Sequence, residues 1–358
     1  MKCLILAGGK GTRLKPLTHN IPKQLVPVAN RPILHFVLDN VIKSGLREIG
    51  VIVAPETKNA IRESLEQYRR EREPMVDFTF IVQDEPLGLA HAVKVAKEFL
   101  KEEPFLMYLG DNLIGQDLSR FIQGFQQTKA DAFLLLKEVP DPSRFGVASL
   151  NEKGEIVHLE EKPKAPKSNL ALIGVYIFSS AIHKAIEQIK PSARGEYEIT
   201  HAIQVLIDSK NKVKSHILDS WWLDTGKKDT LLEANRIVLD NLIEREIKGR
   251  VSESSLIEGR VVIEEGSEIK DSQIRGPAVI GKNTKIIGSE IEPGTAIGDN
   301  CWIENSLIKF SIILEASIIR GIKAMDCSVI GRNARVIKNW ESLGPLRLFL
   351  SDDSEVEI

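Results

Sequence analysis

The sequence predicts two folds in tandem: an α/β domain built on a parallel sheet over residues 1–248, and a stacked β-solenoid over 249–358. Three observations carry this. Through the first part, short apolar runs alternate with helix-length amphipathic stretches, the pattern of strands joined by crossover helices. Beyond Gly249 that period vanishes and a column of apolar residues recurs at a step of 17: Ile263, Ile280, Ile297 and Leu314, with Ile330 after 16. Two further columns keep the same step, Ile269, Ile286 and Ile303, then Ile274, Ile291 and Ile308. Three inward positions per coil, with small or polar residues at the corners, describe a solenoid rather than a sandwich.

Taken in order, Lys2–Ala7 reads as a buried strand and Ile33–Lys43 as an amphipathic helix. Ile49–Val53 is a second strand, Asn59–Arg70 a polar helix and Phe78–Val82 a third strand. Ala90–Leu100 is helical, Phe105–Leu109 is a strand, and Thr230–Lys248 is a long last helix leading into Gly249. Ligands of such a sheet bind beyond the carboxyl ends of the strands. In the second part Gly281, Gly298 and Gly331 each follow an isoleucine of the first column, and Ser351 to Ile358 form a short acidic tail.

Composition narrows the function. Of 358 residues, 42% are hydrophobic and 27% charged, and 48 Lys+Arg against 50 Asp+Glu leave a net charge of −2. That balance argues against a chain-wide grip on nucleic acid or an anionic membrane. Residues 251–358 carry 12 Lys+Arg against 17 Asp+Glu, so phosphate chemistry is expected in the first part. Cys3, Cys301 and Cys327 form no C-x-x-C pair, which disfavours a zinc cage or a disulfide framework and suits a reducing compartment. The apolar start meets Gly and Lys too early for a signal peptide, and the longest uncharged run, Asn169 to Ile182, is too short to span a bilayer. A cytoplasmic protein is expected.

The strongest local signal is Leu6-Ala7-Gly8-Gly9-Lys10-Gly11-Thr12-Arg13-Leu14, directly after the first strand. Three glycines let backbone N–H groups approach phosphate oxygens. No Gly-Lys-Ser/Thr follows at P-loop spacing, and Leu14 stands where a dinucleotide fingerprint needs its third glycine. Arg13, and Lys23 in Ile21-Pro22-Lys23-Gln24, supply cations to the same segment.

Gly8-Gly9-x-Gly11-Thr12-Arg13-Leu14-x-Pro16-Leu17-Thr18 with Pro22-Lys23-Gln24-Leu25 resembles the sugar-1-phosphate nucleotidylyltransferases. Gly88-Leu89-Ala90-His91-Ala92, Leu109-Gly110-Asp111-Asn112, Phe145-Gly146-Val147 and Glu160-Glu161-Lys162-Pro163 continue the match in order. Arg194-Gly195-Glu196-Tyr197-Glu198-Ile199-Thr200 and Trp222-Leu223-Asp224-Thr225-Gly226 complete it. The resemblance covers residues 1–245, and the solenoid resembles the hexapeptide-repeat left-handed β-helix. Together they look most like the long-form glucose-1-phosphate thymidylyltransferases, although His91 stands where short forms carry Gln.

The resemblance implies a Rossmann-like mixed sheet followed by a left-handed parallel β-helix. It implies dTTP and glucose 1-phosphate as substrates, dTDP-glucose and pyrophosphate as products, and Mg²⁺ at Asp111 and Asp224. Each of these aspartates follows an apolar strand-like run. By the same resemblance Gly8, Gly9, Gly11 and Thr12 hold the triphosphate, Arg13 its β/γ end, and Lys23 the α-phosphate. Gln83 and Gly88 read the base. Lys162 and Arg194 neutralise the sugar phosphate, Glu161 accepts sugar hydroxyls, and Gly146, Leu172 and Gly174 line the sugar. Glu196 is a weaker candidate for the sugar side, readable simply as an N-terminal charge for a helix over Ile199–Ile207. Glu161 and Lys162 would point to opposite faces of a regular strand, so both reach one ligand only where the strand ends or bulges.

Other readings stay open. Acyl transfer by the β-helix would call for a histidine base, and all seven histidines lie at or before His216. A non-catalytic regulatory relative could dispense with Arg13, Lys23, Asp111, Lys162 and Asp224, which are all present. A UTP-using or broad-specificity enzyme differs by recognition of one methyl group. The basic stretch Lys162–Lys167 reads otherwise as a solvated loop, and Trp221-Trp222 as packing. The β-helix reads as an oligomerisation or stabilising module, giving a homo-oligomer.

Overall fold

Lys2–Leu6 (β1) is buried along its whole length, as a strand flanked on both sides in a parallel sheet must be. In the computed structural model, which describes residues 1–9, 11–19, 21–338, 348–352 and 354–357, β1 pairs in parallel with Glu48–Val53 (β2). Asp77–Val82 (β3) lies beyond β2, and Phe105–Leu109 (β4) flanks β1 on the other side, all parallel. Further along, the direction changes. Ala132–Glu138 (β5), Gly146–Leu150 (β6), Ile156–Glu161 (β7) and Leu170–Phe178 (β8) enter mainly antiparallel. Val213–Ile217 (β9) pairs in parallel with β5. Strand–helix alternation therefore predicts β1 to β4 correctly, and the whole sheet is mixed. The tight turn between β6 and β7, closed by Asn151 Oδ1 accepting from the N–H groups of Lys153 and Glu155, can join only antiparallel neighbours.

The helix Ile33–Lys43 falls where expected, and Asn59–Arg70 extends to Lys58–Glu71. The stretch Ala90–Leu100 is two helices, Leu89–Val95 and Lys97–Leu100, broken at Ala96. The last helix is Lys228–Leu242, not Thr230–Lys248. Ile247 belongs to the solenoid, where Glu246–Ile247 is the first strand and Ile247 pairs with Ile263.

From there the chain winds into three parallel sheets, each adding one short strand per coil. The second and third isoleucine columns stack in register as predicted. The first column needs one correction: Ile297 pairs with Ile313, not Leu314, and Ile313 with Ile330. Leu314 instead takes the corner that Gly281, Gly298 and Gly331 occupy in other coils. Side chains at one corner bridge successive coils: Ser267 Oγ donates to Gly281 O, Thr284 Oγ1 to Gly298 O at 2.7 Å and Ser317 Oγ to Gly331 O at 2.7 Å. Cys301 holds the equivalent place, with Sγ 3.2 Å from Leu314 O. Buried corner carbonyls are thus satisfied by the chain itself. In the acidic tail, Asp353 and Ile358 lie outside the described residues.

By its packing the chain divides into two units, Met1–Gly9 with Leu34–Leu223, and Lys10–Ile33 with Asp224–Ile358. The segment after the first two loop glycines therefore packs with the helix Lys228–Leu242 and the β-helix. Among the described residues no helix is long and apolar enough to cross a membrane.

Candidate active site

In the first unit, one edge of the sheet gathers most of the predicted nucleotide residues. Just past the strand ends, Ala7 N–H donates to Ile52 O at 2.8 Å, Gln83 N–H to Val53 O at 2.9 Å and Gly110 N–H to Leu6 O at 2.9 Å. These bonds carry the ladders of β1, β2, β3 and β4 one step further and bring Gly8, Gln83 and Asp111 to a common carboxyl-end edge. Gly9 is half-buried beside Gly8.

Gln83 is held in one orientation. Its Nε2 donates to Gly88 O at 3.1 Å and stands 3.0 Å from His91 Nδ1. A carbonyl only accepts, so the amide nitrogen must occupy that end, and His91 Nδ1 must be the unprotonated acceptor. Burial, then the Lys94 charge, lowers the His91 pKa and favours this neutral form. The amide oxygen is left facing Gly8, where a Cβ would lie 3.8 Å from Gln83 Oε1. Gly88 has φ 96°, and a Cβ there would come within 2.6 Å of Tyr197 O. Tyr197 N–H donates to Leu87 O at 2.7 Å and Ala90 N–H to Tyr197 O at 3.0 Å, so this backbone is locked around the glycine.

Asp111 is only 6% exposed. Its Oδ1 accepts from Asn112 Nδ2 at 3.3 Å, and Asn112 Oδ1 accepts from Trp222 Nε1 at 2.7 Å. Trp222 also meets Phe145 edge-on, with ring centroids 5.1 Å apart. Trp222 thus packs against Phe145 and Asn112.

The predicted sugar-side residues form a second cluster in the same unit. β7 ends at Glu161, paired with Gly146, and Lys162 turns out of the strand with φ 44° while its N–H donates to Phe145 O at 2.9 Å. The break brings Lys162 Nζ to 3.7 Å from Glu161 Oε1. At Gly146 a Cβ would lie 2.7 Å from Thr200 Cγ2, 3.3 Å from Glu161 Oε2 and 3.6 Å from Leu172 Cδ1, which places Gly146, Glu161 and Leu172 together. Gly174, at φ 78°, lets β8 pass over Leu109, whose Cδ1 would be 2.7 Å from a Cβ there.

Arg194 is engaged with three carboxylates. Its guanidinium reaches both Glu198 oxygens at 2.8 and 2.9 Å, Glu196 at 3.2 Å and Glu161 at 3.4 Å. Burial opposes its charge most strongly, but the Glu198 hydrogen bond together with the charges of Glu198, Glu196 and Glu161 outweighs burial and raises its pKa above the ordinary value. Burial, followed by the Glu198 charge, raises the Glu161 carboxyl above its ordinary value against the pull of Lys162 and Arg194. Thr200 Oγ1 steadies Glu161 Oε2 at 3.2 Å. Glu198 and Thr200 were not singled out from the sequence. The alternation of Glu196, Glu198 and Thr200 across the start of the helix Ile199–Asp208 was the available signal.

In the second unit, Gly11 has φ 62°, and a Cβ there would be 2.9 Å from Lys23 Cβ. Thr18 Oγ1 donates to Gly11 O at 2.7 Å, fastening the loop to the Lys23 turn. Thr12 opens the short turn Thr12–Leu14, from which Arg13 reaches 3.9 Å from Asp224 Oδ2. Asp224 Oδ1 accepts from Gly226 N–H at 3.2 Å. Gly226 is a further residue the sequence reading did not single out: a Cβ there would lie 2.7 Å from the Arg13 guanidinium. Lys10 lies outside the described residues.

The chain is similar to known proteins over most of its length. The nucleotidyl transferase family matches residues 2–241. The glucose-1-phosphate thymidylyltransferase of Streptomyces antibioticus is 45% identical and that of Streptomyces griseus 43%, each alignment covering all of this chain and 99% of the relative. A solved chain from Bacillus anthracis, assigned as a glucose-1-phosphate thymidylyltransferase, superposes with a TM-score of 0.61 at 34% identity. It spans 66% of this chain and 94% of its own. The glycine loop, the strand-end aspartate and the Glu161–Lys162 break therefore sit in a chain that belongs to the nucleotidyl transferase family.

Proposed function

We propose that the protein transfers a thymidylyl group from dTTP to glucose 1-phosphate, releasing pyrophosphate and forming dTDP-glucose. The observation that carries this is the full-length identity with the two Streptomyces thymidylyltransferases, β-helix included. An oxygen of the sugar phosphate attacks the α-phosphorus in line, the bond from that phosphorus to the bridging oxygen breaks, and pyrophosphate leaves with the electron pair. The nucleophile is already an anion, so no histidine or serine base is needed. What the chain must supply is charge neutralisation and alignment.

In this reading the backbone N–H groups of Gly8, Gly9 and Gly11, with Thr12, hold the triphosphate. Arg13 binds its β/γ end and the departing pyrophosphate, and Lys23 the α-phosphate. Lys162 and Arg194 neutralise the incoming sugar phosphate, and Arg194 must share its carboxylates or leave them to do so. Glu161 accepts hydroxyls of a sugar lying against Gly146, Leu172 and Gly174. Gln83 Oε1, turned outward by Gly88 and His91, accepts the N3–H of a thymine or uracil imide and disfavours cytosine, whose N3 is an acceptor. Gly88 backbone adds to base contact.

The carboxylates of Asp111 and Asp224 fit Mg²⁺, a hard cation that takes oxygen donors. Mg²⁺ is commonly held by one or two carboxylates and completed by substrate phosphates and water. When bound, Mg²⁺ would neutralise phosphate charge. The catalytic module of this reading is 1–248, save that Glu246–Ile247 already form the first β-helix strand, and the assembly module is 249–358, supporting a homo-oligomer that light scattering would detect. The working compartment in this reading is the cytoplasm, consistent with the buried thiols of Cys3 and Cys301, which stand outside any disulfide.

Pyrophosphate release with Mg²⁺ and glucose 1-phosphate, compared across dTTP, UTP, ATP, GTP and CTP, tests the proposal. Preference for dTTP is the expected result. Equal rates with dTTP and UTP would support the broader enzyme, since one methyl group is worth only about 1–3 kcal/mol. No release with any of the five would overturn the reading.

A further inference from the structure

The hairpin formed by Pro27–Val28 and Arg31–Pro32 closes on two residues, Ala29 at φ 46° and Asn30 at φ 60°. Two central residues with positive φ make a type I′ turn, for which Asn-Gly, Asp-Gly or Gly-Gly is the natural choice. Here the first position is alanine, whose Cβ opposes left-handed backbone. The turn is set by its surroundings instead. Ala29 N–H donates to Asn235 Oδ1 at 2.8 Å, and the other end of that amide, Nδ2, donates to Gly294 O at 2.8 Å. Asn235 is 0% exposed. Asn30 Nδ2 donates to Ile297 O at 2.6 Å. The hairpin tip is therefore fastened to the helix Lys228–Leu242 and to one coil of the β-helix at Gly294 and the strand Thr295–Ile297.

The hairpin continues directly into the predicted phosphate-binding turn. Ile33 N–H donates to Val26 O at 3.2 Å, Val26 N–H to Lys23 O at 3.3 Å and Leu25 N–H to Pro22 O at 2.8 Å. Lys23 in turn backs onto Gly11. Hydrogen bonds thus lead from a β-helix coil through Asn235 and the hairpin to Lys23, which packs against Gly11.

We propose that Asn235 is a positioning residue: by bridging Ala29 N–H and Gly294 O it holds a turn its own sequence disfavours, so that the β-helix sets the placement of Lys23 and Gly11. The inference rests on the assignment of those two residues to the nucleotide. It makes the β-helix a working part of nucleotide binding in addition to any role in assembly.

The test compares wild type, Asn235→Leu and Asn235→Leu with Ala29→Gly in the full chain. Steady-state kinetics with dTTP are read beside amide hydrogen exchange over residues 26–33. Asn235→Leu is expected to raise KM for dTTP about tenfold, more than it changes KM for glucose 1-phosphate, and to speed exchange in the hairpin. Adding Ala29→Gly, which relieves the turn without restoring the bridge, is expected to recover much of both. A lowered melting temperature with unchanged KM for dTTP, or no recovery from Ala29→Gly, would overturn the proposal. Should Asn235→Leu fail to fold, Asn30→Gly removes the Ile297 bond while keeping a residue that accepts φ 60°, and is held to the same two readouts. If wild type transfers no nucleotide, the proposed function fails, while hydrogen exchange still decides whether Asn235 holds the hairpin.

Discussion

Glu161 and Lys162 are neighbours in sequence, yet their charged ends lie 3.7 Å apart on the same side of the chain. A regular strand would send them to opposite faces. The strand stops at Glu161, and the left-handed backbone of Lys162 (φ 44°) swings its side chain back. Lys162→Gln is therefore expected to lower kcat/KM for glucose 1-phosphate about 100-fold while leaving the melting temperature nearly unchanged. Steady-state kinetics against sugar phosphate at saturating dTTP checks this, and a near-normal value would remove Lys162 from the site.

The same cluster makes a pH prediction. The folded Glu161 pKa lies above its unfolded value, so the folded state binds that proton more tightly. Folding then takes up a proton between the two values, and the stability contributed by Glu161 falls as pH rises through that window. Glu161→Gln lacks this change. Thermal unfolding from pH 4 to 8 is expected to show a shallower decline through that window for the variant; parallel curves would contradict the assignment.

Gly226 lies where any side chain would press on Arg13. Gly226→Ala is expected to displace the guanidinium and reduce kcat/KM for dTTP by about 10- to 100-fold. The loss should be largest for the triphosphate and small for glucose 1-phosphate binding. Equal losses for both substrates would point to general disruption.

His91 fixes the Gln83 amide through Nδ1. His91→Leu removes that acceptor and is expected to narrow the preference for dTTP over CTP by about 3- to 10-fold. His91→Asn, whose side-chain oxygen can take the Nδ1 place, should retain most of it. Competition between the two nucleotides in one assay gives the ratio directly, and an unchanged ratio in His91→Leu would exclude the role.

Asp224 faces Arg13 as well as the proposed cation, and the two roles separate by titration. Asp224→Asn is expected to cut turnover about 100-fold at fixed Mg²⁺ and to raise the Mg²⁺ concentration giving half-maximal rate. Lower turnover with an unaltered Mg²⁺ midpoint would leave Asp224 only as the anchor of Arg13.

Much of the fold was legible because its periods are local. A strand buried on both faces must be apolar throughout, and a coil of fixed length must repeat its inward isoleucines. The Gly8–Gly11 loop, Lys23, Asp111 and Asp224 were likewise readable as residue types at recognisable spacings. The short coil escaped that reading: Leu314 and Ile313 are adjacent and both apolar, and only pairing with Ile297 and Ile330 identifies the column residue.

Tertiary structure decided what depends on partners distant in the chain. The antiparallel half of the sheet, the grip of Glu198 on Arg194, the orientation of the Gln83 amide by His91 and the clasp of Asn235 on Ala29 all join residues whose local patterns do not name each other. The physical reason is common to them. Periodicity reports which face of an element is buried, whereas hydrogen bonds and ion pairs require particular atoms to meet, and only the folded chain brings those atoms within reach.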